Sequence, residues 1–114
     1  MRTELEGRTK QFAVAIVRAV GRFPRDTTGD VLGRQLLKAG TSIGANYREA
    51  NRAESRPDFV HKVGVAEKEA AETMYWLEVC LESNLGAVEA LKALHQEANE
   101  LLAILITIGR KART

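Results

Sequence analysis

Apolar residues recur in this chain at three- and four-residue spacing along four stretches, and nowhere alternate with polar ones over strand length. That spacing puts each set on one face of a helix, which restricts the chain to all-α architectures. In the first stretch Leu5, Phe12, Ile16, Ala19, Val20 and Phe23 share a face. Pro24 ends it, because proline disfavours α geometry in the residue before it. This predicts helix one over about residues 3–22. "DTTGD", from Asp26 to Asp30, supplies capping side chains for a stripe of Leu32, Leu36, Ile43, Tyr47 and Ala50. Helix two is predicted from there to about Ser55. "SRPDF" then reads as a break and restart, with Pro57 suited to a first helical position and Asp58 to the positive end of the dipole.

Helix three carries Phe59, Val63, Ala66, Ala70, Met74, Leu77 and Leu81 and is predicted to stop near Ser83, at "SNLG". Helix four, about residues 87–110, presents Val88, Leu91, Leu94, Ala98, Leu101, Leu102, Leu105 and Ile108 before the basic "RKART". Four helices joined by short connections favour antiparallel neighbours, so the expected fold is an all-α, antiparallel up-down four-helix bundle. A chain of 114 residues fits a single bundle domain, 1–114, and with only 5% aromatic residues its core must be aliphatic. Ile104 and Ile106 lie beside the main stripe of helix four, and Trp76, Val79 and Cys80 beside that of helix three. Helices apolar on more than one face are buried on more than one, in a well-filled core or against another subunit, and the second option predicts a homo-oligomer held by helices three and four.

The residues that carry chemistry are sparse. His61 and His95 have no second histidine or cysteine at ligand spacing, and Cys80, the only cysteine, allows neither an intrachain disulfide nor a cysteine zinc site. Gly40 and Gly44 sit in a helical stripe without the lysine and hydroxyl residue of a phosphate loop. Glu67, Glu69, Glu72, Glu78 and Glu82 lack the histidine three residues on that bundled di-iron sites use. The expectation is a protein that is not an enzyme, with no catalytic residue, metal or cofactor. The N-terminus lacks a signal-peptide layout and no apolar run reaches membrane-spanning length, so a cytoplasmic protein without a membrane partner is expected.

"AGTSIGANYREANRAES", Ala39 to Ser55, stands out within helix two. Glycine costs about 1 kcal/mol relative to alanine inside a helix, so Gly40 and Gly44 imply a compensating close approach by another helix. Further along, Arg48, Arg52 and Arg56 follow at four-residue steps, on one face if the helix persists, and Arg34 and Lys38 form a similar pair upstream. Aligned guanidinium groups clamp phosphates, or else pair with Glu49, Glu54 and the acidic third helix. Residues 1–57 hold 11 Lys and Arg against 6 Asp and Glu, and residues 58–114 hold 6 against 9. Such a split marks an anionic partner for the first half, or a folded dipole that pairs with itself or a neighbouring subunit.

The stretch from Thr41 to Glu82 resembles the signature of the bacterial four-helix-bundle family known from proteins encoded in intervening sequences of 23S ribosomal RNA genes. The matching positions are Ser42, Ile43, Gly44, Ala45, Asn46, Glu49, Ala50, Arg52, Ser55, Phe59, Leu77 and Glu78, and the likeness extends over residues 32–85. That family includes the accessory variability proteins of diversity-generating retroelements. The resemblance implies a non-enzymatic bundle that assembles into a homopentamer, with RNA or DNA and a reverse transcriptase as partners. It points Arg34, Lys38, Arg48, Arg52 and Arg56 toward phosphate contacts without sequence readout, an accessory role. A homo-oligomeric scaffold or protein-interaction module, with no nucleic-acid role, is the alternative.

Overall fold

The structure, a computed structural model, describes residues 2–114. Four helices account for nearly all of them: α1 (Arg2–Val20), α2 (Thr27–Asn51), α3 (Arg56–Glu82) and α4 (Val88–Arg113). No strand occurs among the described residues, and the helices pack as an antiparallel bundle 45 Å long and 20 Å across. Each helix touches its neighbours in chain order, and α4 returns beside α1. The core runs along the axis through Ile16, Leu36, Ile43, Leu77, Leu91, Leu101 and Leu105, all fully buried, and is aliphatic as the composition requires.

Local chemistry sets most of the boundaries. Asp26 caps α2, its Oδ1 accepting from the Gly29 amide at 2.8 Å, and Ser55 caps α3 by accepting from Asp58 at 3.2 Å. The α3–α4 turn uses two left-handed residues, Asn84 at φ 56° and Gly86 at φ 89°. Gly86 is doubly constrained, since a Cβ there would also lie 2.9 Å from the Phe23 ring. Helix α4 outruns its predicted end by three residues and continues through Gly109 to Arg113.

Helix α2 stops at Asn51 rather than near Ser55. To cap α3, Ser55 must be extended, at φ −151° and ψ 163°, and an extended residue cannot also belong to the preceding helix. Arg52 becomes the α2 C-cap and Arg56 the first residue of α3. The row Arg48, Arg52, Arg56 is therefore broken, and the three share no helix face.

The small residues of α2 serve the approach of α1. A Cβ at Gly40 would meet Ile16 Cγ1 at 2.8 Å, and one at Gly44 would meet Thr9 Oγ1 at 2.9 Å. Thr9 is fully buried against this contact and returns its hydroxyl to the Leu5 carbonyl at 2.9 Å. The opposite side of α1 is looser, for α1 and α4 meet far less than the other neighbouring pairs.

Candidate nucleic-acid interface

The five predicted cations occupy different parts of the bundle. Arg34 is exposed near the α1–α2 turn, beside Arg25 and Asp30, where a shallow hollow of about 250 Å³ includes Phe23 and Leu37 in its lining. Lys38 lies one turn on and acts on Glu69 of α3. Burial, with Glu72 nearby, pushes the Glu69 carboxyl above the usual carboxylate range, and Lys38 and Lys68 partly offset that rise. Arg48 faces α1, with its Nε 4.0 Å from Glu6 Oε1, while Glu6 Oε2 accepts from Asn51 Nδ2 at 2.9 Å. Its carboxylate neighbour thus comes from α1, neither from Glu49 or Glu54 nor from α3.

Arg52 and Arg56 sit at the end of the molecule where α2 turns into α3. Arg56 donates from Nη1 to the Thr114 carbonyl at 3.4 Å, which ties the α3 start to the last turn of α4. Antiparallel packing thereby adds Arg110, Lys111 and Arg113 to this end. All five of these side chains are exposed, and among the described residues Arg52, Arg110, Lys111 and Arg113 make no ion pair. Beneath them Glu67 Oε2 is buried without a hydrogen-bond partner among the described residues, 2.7 Å from where a Cβ at position 109 would lie. Gly109 leaves the room this carboxylate occupies.

The last three cations read in the sequence only as favourable company for a helix dipole. Their signal was present in "RKART" combined with an even number of antiparallel helices, which returns α4's C-terminus to the α2–α3 turn. Lys62, on the first turns of α3, approaches Glu49 at 3.7 Å and so is partly neutralised.

The remaining groups offer little chemistry. Cys80 is fully buried and desolvation raises its thiol pKa, which suppresses the reactive thiolate. His95 Nε2 lies 2.8 Å from Glu78 Oε2 across the α3–α4 seam. Among the described residues no three His, Cys, Asp or Glu side chains gather as metal ligands, and no helix is long and apolar enough to cross a membrane.

These features define an antiparallel four-helix bundle that gathers five exposed cations at the end where α2 turns into α3, with Glu54 and Asp58 among them. The chain belongs to the 23S rRNA-intervening sequence protein family, whose profile matches residues 4–107. It is also similar to a crystal structure of a protein of unknown function from the S23 ribosomal protein family, from Bacteroides thetaiotaomicron VPI-5482. The two are 38% identical with a TM-score of 0.85, over 91% of this chain and 96% of that one. A comparison with curated proteins finds no match.

Proposed function

We propose that this protein is a non-enzymatic, homo-oligomeric bundle that binds the backbone of RNA or DNA through its cationic end, as an accessory to other nucleic-acid machinery. The observation that carries this reading is the gathering of Arg52, Arg56, Arg110, Lys111 and Arg113, all exposed, four of them without an ion pair among the described residues. Guanidinium groups on a convex end bind phosphates by charge and bidentate hydrogen bonds. Among the described residues the aromatic nearest Arg56, Phe59 on the first turn of α3, is half-buried and not laid open for base stacking, so the contact positions a nucleic acid without reading its bases. The family resemblance is what favours a reverse transcriptase as the machinery served, and a homopentamer as the assembled form.

The test is binding of a fluorescent RNA and a DNA of mixed sequence, titrated with salt. Affinity should fall steeply and linearly on a log–log plot, by about tenfold or more between 50 and 200 mM salt for three or more phosphate contacts. Arg52→Ala with Arg56→Ala should weaken binding several-fold for both nucleic acids and reduce the salt slope. Binding that ignores salt, or is absent at low salt, would sink this reading and leave the scaffold role.

A further inference from the structure

The side of the bundle between α1 and α4 is open. Ala15 and Ala19 on α1 face Ala90 and Ala93 on α4, and side chains this small do not fill the space between two helices. A cleft of about 430 Å³ results, with Phe12 and Leu94 among its lining. Arg8 closes one end, donating from Nε and Nη2 to Glu97 at 2.7 Å each and from Nη2 to Glu100 at 2.8 Å. Toward the other end stand Arg18 and Arg22, both exposed and without an ion pair among the described residues. Val14, 40% exposed, lies one turn from Gln11 and Arg18 on the flank of α1.

A surface of the opposite character lies on the outer face of α3. Glu72, Tyr75, Val79 and Glu82 follow one another at steps of three and four residues, so they form one stripe spanning about 15 Å. Tyr75 is 56% exposed, the most of any large apolar side chain described. It stands edge-on to Trp76 with ring centroids 5.0 Å apart, and Trp76 Nε1 donates to Glu72 at 3.4 Å. From Glu72 to Glu82 there is no lysine or arginine, against three glutamates.

We propose that the α1–α4 cleft receives the outer face of α3 from a second copy of this chain. The Tyr75 ring fills the alanine-walled space, and Glu72 and Glu82 meet Arg18 and Arg22. Charge complementarity and the fit of one large exposed ring to one underfilled cleft both argue for this occupant. The two surfaces lie on different sides of the same bundle, so every copy offers both and the contact is heterologous. Repeated, it closes a ring or extends a filament. This rests on the homo-oligomeric part of the function proposed above and assigns its interface.

Light scattering after gel filtration at micromolar concentration tests it with two charge reversals, Arg18→Glu with Arg22→Glu, and Glu72→Arg with Glu82→Arg. All four positions are exposed, and far-ultraviolet circular dichroism verifies that each variant keeps its helices. The wild type should run as an assembly and each variant as a 12.6 kDa monomer, with a one-to-one mixture of the variants forming assemblies again, in which the two alternate because only unlike neighbours match. If both variants assemble like the wild type, or the mixture stays monomeric, this interface is wrong and the oligomer stands on other contacts. If the wild type is itself a monomer, the homo-oligomeric reading falls and the interface with it.

Discussion

At Gly40 the chain has no room for a methyl group. The nearest atoms to a Cβ there are Cγ1 and Cγ2 of Ile16, at 2.8 and 3.0 Å, on a β-branched side chain that is fully buried and has few rotamers to escape into. Gly40→Ala should therefore destabilise by about 1–3 kcal/mol through overpacking, outweighing the roughly 1 kcal/mol that alanine gains in helix propensity. Gly64 is the internal control, since nothing lies within 4 Å of its Cβ position. Gly64→Ala should stabilise by about 0.5–1 kcal/mol. Urea denaturation of the two variants measures both, and opposite signs are the expected result. The sequence showed that Gly40 and Gly44 had to be compensated, because their cost is local. It did not show which helix compensates them, because the partner atoms belong to Ile16 and Thr9, more than 20 residues away in the chain.

At the scale of the helices, the starts are unequal. Asp26 and Ser55 cap α2 and α3 with side-chain oxygens, whereas Ala87 precedes α4 in an extended conformation and offers no side-chain hydrogen bond. Ser55→Ala should lower stability by about 1 kcal/mol and Ala87→Asp should raise it by about the same amount, read as shifts in thermal midpoint. An unchanged midpoint in the second variant would show that the amides at that start gain nothing from an acceptor. Both helix-start signals were legible, since Ser55 followed by Pro57 and Asp58 is a start whatever surrounds it. The end of α2 was misplaced by four residues because apolar spacing persists to Ala50 and nothing polar forbids another turn. The decision fell to Ser55, whose cap requires an extended backbone and so withdraws Arg52 and Arg56 from the helix that carries Arg48.

Across the whole molecule, the cations divide between the two ends. Arg34 and Arg56 are 22 residues apart in sequence and stand at opposite ends of a 45 Å bundle, while Arg56 and Arg110, 54 residues apart, stand at the same one. Nucleic-acid affinity should therefore drop several-fold in an Arg110→Ala, Lys111→Ala variant and change little in an Arg34→Ala, Lys38→Ala variant, as measured by fluorescence anisotropy at low salt. Equal losses in both would show that the charge acts diffusely over the surface. By itself the sequence determined the four helices, their antiparallel order and the aliphatic core, because each of these follows from spacing, caps and short turns within a few residues, and the stretch from Thr41 to Glu82 carried the likeness to the family. Only the tertiary structure decided which charges act together. Arg48 is drawn to Glu6 by the close packing of α1 on α2, and the α4 tail joins the α2–α3 turn because the bundle folds back an odd number of times. Side-chain electrostatics depends on distances through space, and those are set by how the helices pack.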